Sequence, residues 1–176
     1  MAFERTGQEN IHEGKIFTVK KLGIRFDDGE ETEREIVEHP GAVGVVAFDG
    51  ERIFMVAQPR EAVDEQALLE LPAGKLDEEG EGPEQTGKRE LAEEIGKGAR
   101  TWRKLTSFYT SPGFAAEECH IYLATDLYDE QAETDENERI EIVEVPLERL
   151  DQTIEECRDA KSLVGLLWFK AYLQGG

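Results

Sequence analysis

Cysteine is nearly absent: Cys119 and Cys157 are the two in 176 residues. Two are too few for a disulfide scaffold, and their separation is not that of metal ligands. Both are therefore expected as reduced core thiols of a cytoplasmic protein. No run of about 18 apolar residues occurs, which excludes a transmembrane helix. The opening segment, MAFERTGQENIHEGK, has no apolar stretch and reads as no secretory signal. Basic residues are scarce as well, 20 against 40 acidic ones, giving a formal net charge of -20. Such a surface repels nucleic acid phosphates, so a nucleic-acid-binding module is not expected. It would repel a pyrophosphate equally. Any phosphate chemistry here must recruit cations or aim particular arginines at the ligand.

What is present reads as one domain of ordinary size with an N-terminal strand region. Residues 15–26 and 31–39 pattern as strands around a turn at Asp27-Asp28-Gly29. Pro40-Gly41 then separates residues 1–40, an antiparallel strand region, from a main body over 41–176. The segment AVGVVAF (42–48) is almost wholly apolar, as a strand buried on both faces must be. Asp49-Gly50 turns it into RIFMVAQPR (52–60), a core hairpin. The clearest helix is 83–95, with Pro83 and Glu84 in its first turn and Gly96 and Gly98 expected to end it. SFYT (107–110), CHIYLATDL (119–127) and IEIVEVP (140–146) read as strands, and helices are expected at about 147–157 and 160–173. Strands and helices mixed without strict βαβ alternation predict an α+β fold, a mixed sheet between helices in an α/β/α sandwich.

The helix 83–95 concentrates carboxylates. At 3.6 residues per turn, Glu90 lies on one face with Glu93 and Glu94. Like charges at that spacing cost a few tenths of a kcal/mol per pair, softened by Arg89–Glu93 and Glu93–Lys97 pairs. The cluster alone reads equally as a solvated face. The preceding segment, ELPAGKLDEEGEG, changes the balance, because its three glycines and proline suit a tightly folded loop. Its carbonyls and Glu81 would arrive at the helix start beside the carboxylates. Hard oxygen donors gathered this way suit Mg²⁺ bridging protein to substrate phosphates.

Gly74, Glu81, Arg89-Glu90-Leu91, Glu93-Glu94 and Gly96 resemble the box of the Nudix hydrolase family: a glycine, a glutamate, then R-E-apolar-x-E-E-x-G. Two departures stand out. Six residues rather than the usual five separate Gly74 from Glu81, and Lys97 replaces an apolar residue. A one-residue loop insertion is cheap, and the helix has ended by Gly96. The resemblance implies that Glu90, Glu94 and the Ala73 carbonyl ligate Mg²⁺, with Mn²⁺ as a substitute. Glu93 would assist catalysis. Gly74, Glu81 and Arg89 would be structural, with Arg89 holding the loop through Glu81.

Four further segments resemble the ADP-ribose pyrophosphatase branch: REIVEHPGAV (34–43), AQPR (57–60), ELPAGKLD (70–77) and SPGF (111–114). This likeness implies a homodimer with swapped N-terminal strands, in which Arg34 and Glu35 reach the partner subunit's site. Arg60 would contact the substrate from its own subunit, while Ser111, Gly113 and Glu117 line the ribose side. In related enzymes the base sits in a loop matching TDENERIE here. Glu136 is accordingly expected as the base and Glu138 as an additional metal ligand with a part in catalysis, an assignment that could be reversed. The implied reaction is hydrolysis of ADP-ribose to AMP and ribose 5-phosphate. Competing readings are a pyrophosphatase for another nucleoside diphosphate sugar, such as GDP-mannose, and a non-catalytic nucleotide-sugar-sensing Nudix domain. The intact box glutamates speak against the last.

Overall fold

The computed structural model describes residues 2–132 and 139–175. Two compact units are built from it: residues 1–41 with 109–118, and residues 42–108 with 119–176.

In the first unit, β1 (Phe3–Glu13), β2 (Thr18–Phe26) and β3 (Glu31–Glu38) form an antiparallel sheet in that order. The β2–β3 ladder runs without interruption from Thr18 opposite Glu38 to Arg25 opposite Glu31. Its turn is the expected one, with Gly29 at φ +88°. Strand β1 was not foreseen. Every residue along it is exposed, so FERTGQENIHE never develops the apolar alternation that marks a half-buried strand. Its ladder to β2 and the ion pair of Arg25 with Glu4 hold it in place. The segment 109–118 attaches to this unit through main-chain bonds from Val37 N to the Phe114 carbonyl (2.7 Å) and from Ala116 N to the Val37 carbonyl (2.8 Å).

The second unit is the three-layer sandwich. Its mixed sheet follows the order β10 (Glu141–Pro146), β5 (Arg52–Arg60), β4 (Ala42–Phe48), β9 (Glu118–Asp129), β8 (Lys97–Tyr109). Two short strands complete it: β6 (Glu65–Glu70) pairs with β5, and β7 (Ala73–Lys75) pairs with β4. Strand β4 is central and buried on both faces. Val45 and Ala47 pack with Leu91 and Ile95 of α1 (Pro83–Ile95), whereas Val46 packs with Leu166 and Phe169 of α3 (Ala160–Gly175). Helix α2 (Leu150–Glu156) adds Leu150 to the α3 side and follows a single 3₁₀ turn over Leu147–Arg149, a tighter start than the continuous helix expected there. Each fully buried side chain of this kind contributes roughly 1.5–3 kcal/mol. No helix among the described residues is long and apolar enough to cross a membrane.

Strand β8 begins at Lys97, immediately after α1, rather than near residue 107. Gly96 alone closes the helix, at φ +65° with its N–H bonded to the Ala92 carbonyl. Gly98 belongs to the strand, where a Cβ would stand 2.4 Å from Tyr128. Lys97 bonds Asp129 at 2.6 Å rather than Glu93.

The β4–β5 turn is fastened by Asp49, whose Oδ1 accepts the amides of Glu51 (2.9 Å) and Arg52 (2.7 Å), while Gly50 takes φ +105°. Burial alone would raise the Asp49 pKa. The two amides and the Arg52 charge outweigh it and hold the carboxyl below its ordinary 3.8. A depressed folded pKa gives stability that is present above the ordinary value and lost as pH falls through the folded one. Asp49→Ala should therefore cost about 1 kcal/mol in urea melts at pH 7. The gap to the parent chain should close as pH drops below 3.8.

Candidate active site

Strand β5 pairs with β4 only at Ala47 and Phe48, then turns toward β6. The vacated edge of β4 is taken by β7, with Ala42, Val43 and Gly44 opposite Lys75, Gly74 and Ala73. The Val45 amide also bonds the Pro72 carbonyl at 2.9 Å. The glycine-proline segment is thus fixed along the centre of the sheet. Helix α1 lies close over the same strand because Gly87 has no side chain: a Cβ there would meet Val43 and Val45 at 3.3 Å.

This packing drives the carboxylates of α1 onto β7. Glu94 Oε2 accepts the Ala73 amide at 2.9 Å. Glu90 occupies the space a side chain at Gly74 would fill, its Oε1 lying 2.0 Å from the position of a Cβ. Only glycine admits Glu90 in this place. Arg89 threads the remaining acids, with Nη1 2.9 Å from Glu90 and 2.8 Å from Glu93, and Nε 3.3 Å from Glu81. Burial would lower the Arg89 pKa, but Glu90 and Glu93 raise it above its ordinary value, so the guanidinium stays charged. Glu81 also accepts from the Thr86 hydroxyl at 3.2 Å, tying the loop to the first turn of the helix.

Arg60, at the end of β5, forks onto Glu70 through Nε (2.5 Å) and Nη2 (2.8 Å). That hydrogen bond and the nearby negative charges, Glu94 among them, raise its pKa. Glu70 is 1% exposed and is bonded by Lys161 as well. This buried group is the part of the neighbourhood that the sequence reading missed. The signals were a glutamate inside the apolar run LLELP and an aspartate at the start of a helix three residues before Ser162. Ser162 N bonds Asp159 Oδ2 at 2.9 Å, a helix cap.

The other predicted residues fall in the first unit. Arg34 and Glu35 are exposed on β3, where Arg34 Nη1 donates to Thr32 Oγ1 (2.6 Å) and the Glu33 carbonyl (2.9 Å). Ser111 accepts the amides of Phe114 and Ala115 through its carbonyl. Gly113 is exposed in the turn they close. Glu117 accepts the Thr110 hydroxyl at 2.7 Å and lies 3.6 Å from His39. Glu136 and Glu138 lie outside the described residues. Among the described residues no three Asp, Glu, His or Cys side chains form a metal-binding group. The pair Glu90 and Glu94 against the β7 backbone nonetheless offers hard oxygen donors of the kind Mg²⁺ takes.

A model of the NUDIX domain matches residues 38–164. The chain belongs to the Nudix family. It is 43% identical to a protein of Bacillus subtilis (strain 168) named ADP-ribose pyrophosphatase, over 93% of this chain and 90% of the relative. It is 39% identical to the methanol dehydrogenase activator of Bacillus methanolicus, over 92% and 89%. A crystal structure of an ADP compounds hydrolase superposes with a TM-score of 0.87 at 24% identity, covering 99% of this chain and 96% of that one, and shares its fold. The family match and the shared fold thus place the chain among the Nudix hydrolases.

The contact at Gly74 yields a direct test. In Gly74→Ala the new methyl must expel Glu90 from its position. Displacement of about 1 Å in a reacting group can cost on the order of 100-fold in rate. The variant should therefore lose roughly 10- to 100-fold in hydrolytic turnover, measured by phosphate-ester product release, while its circular dichroism stays that of the parent.

Proposed function

We propose that this Nudix hydrolase splits the pyrophosphate of ADP-ribose, giving AMP and ribose 5-phosphate. The observation that carries the reading is the seating of Glu90 and Glu94 against Ala73 and Gly74. The 43% identity to an ADP-ribose pyrophosphatase over nearly the whole chain supports the choice of substrate. Glu90, Glu94 and the Ala73 carbonyl hold Mg²⁺, with Glu138 as a further ligand and Mn²⁺ as a substitute. When bound, the cation neutralises the pyrophosphate oxygens and makes water more acidic.

The chain's own residues do the rest. Arg89 keeps Glu81, Glu90 and Glu93 in register and prevents their mutual repulsion from splaying the site. Arg60 presents positive charge to the diphosphate from its own subunit, and Ser111, Gly113 and Glu117 line the ribose side. Glu136 takes the proton of the attacking water as the new P–O bond forms and the bridging P–O bond breaks. Each product leaves with one phosphate. The strand region 1–40 serves as the dimer contact, carrying Arg34 and Glu35 to the partner subunit's site in a cytoplasmic homodimer.

A panel of ADP-ribose, GDP-mannose and dinucleotides with Mg²⁺, scored for nucleoside monophosphate release, tests the substrate. AMP from ADP-ribose should dominate; release from none of them would overturn the reading. Glu94→Gln should remain folded and lose about 100-fold or more in turnover, as removal of a metal-ligand charge implies. Full activity in that variant would remove Glu94 from the site. Sedimentation of the parent chain as a strict monomer would remove the role given to Arg34 and Glu35.

A further inference from the structure

We infer that Glu70 is a positioning residue, held from behind by the first turn of α3, that fixes Arg60 in place to receive the substrate diphosphate. The inference deepens the proposed function and rests on its assignment of Arg60 to substrate.

Among the described residues Glu70 is the acidic side chain most deeply buried, at 1% exposure. A buried charge is retained at a cost of several kcal/mol unless its partners are well placed. Here both oxygens are engaged: Oε1 by Arg60 Nε, Oε2 by Arg60 Nη2 and by Lys161 Nζ. Burial alone would raise the Glu70 pKa, yet the two cations hold it below its ordinary value, so it stays ionised. The fork sets the plane of the Arg60 guanidinium, because two parallel bonds leave it no rotation about its stem.

The holder itself is braced. Lys161 also pairs with Asp159 at 3.0 Å. Asp159 accepts the Ser162 hydroxyl at 2.6 Å, and that hydroxyl in turn accepts the amide of Leu71 at 2.7 Å. Glu70 and Leu71 are therefore fixed from α3 by side chain and main chain together. Two residues further on, the Ala73 amide bonds Glu94. One rigid stretch of chain thus carries both the fork on Arg60 and the contact to the box carboxylate. The charge of Glu94 acts on Arg60 as well, so the forked guanidinium lies within the field of the box carboxylates.

Calorimetric titration with inorganic pyrophosphate in magnesium buffer decides it, using the parent chain, Glu70→Gln, Arg60→Met and the double variant. A charge-assisted hydrogen bond contributes about 1.5–3 kcal/mol, and 1.4 kcal/mol is a tenfold change. Each single variant should therefore bind pyrophosphate about 10- to 100-fold more weakly, and the double variant no more weakly than Arg60→Met, since Glu70 acts only through Arg60. Parent-like binding by Glu70→Gln overturns the inference, as do roughly additive losses in the double variant or absence of binding by the parent. Should Glu70→Gln not fold, Glu70→Asp replaces it. That variant keeps the negative charge but its shorter side chain cannot hold both arms of the fork, so weakened binding is expected and unchanged binding overturns the inference. ADP-ribose turnover of the parent, measured alongside, separates the two readings: its absence with pyrophosphate binding intact overturns the substrate and leaves the role of Glu70 standing.

Discussion

The structure depends on one shared strand edge. Strand β4 is apolar throughout and buried on both faces, so every main-chain group along it must find a partner. Strand β9 satisfies one edge along its length, whereas on the other edge β5 supplies partners at one end only. The segment after Leu71 has to supply the others, and it does so as β7. Once that segment lies on the sheet, its Ala73 amide and the bare Cα of Gly74 face α1, and the carboxylates of the helix are drawn to them. Satisfying a buried backbone and gathering the carboxylates of α1 are the same event here.

That coupling explains how an acid-rich helix is tolerated in a chain of net charge -20. The like charges on α1 are not left to solvent screening. Arg89 lies among Glu81, Glu90 and Glu93, and the Ala73 amide answers Glu94. What remains is a concentration of oxygen donors whose repulsion is lowered by one guanidinium and would be lowered further by a divalent cation. Local order of this kind lets the outer surface stay strongly acidic without excluding an anionic ligand.

The fold was legible where burial is periodic or complete. AVGVVAF, RIFMVAQPR and the helix 83–95 appear at their expected bounds because apolar run length and capping chemistry are local properties. Strand β1 was illegible because every residue along it is exposed, so its sequence carries no apolar face. Strands β6 and β7 were illegible for another reason. ELPAGK pairs because β4 needs an edge, and that need lies some thirty residues away in the chain. The box register pointed to Glu90 and Glu94, yet the reason for Gly74 emerges only from the space that Glu90 fills. Glu70 was missed because a glutamate between leucines gives no sign of its partners, which come from β5 and α3.

The two charge clusters of this unit differ in a way that bears on mechanism. Around Arg89, one cation serves three acids, and the balance is negative. Around Glu70, Arg60 and Lys161 share one acid, with Asp159 beside Lys161. The first arrangement attracts a cation. The second leaves Arg60 held by two of its nitrogens while its charge lies within the field of Glu94. A diphosphate with its cation carries both signs, and the unit presents both in fixed relation, because residues 70–73 link them through consecutive main-chain bonds. Partly buried charges are screened less than fully exposed ones. A net-negative cluster around Arg89 and a balanced one that fixes the Arg60 guanidinium can therefore orient a ligand that carries both signs, even though the overall charge of the chain repels anions.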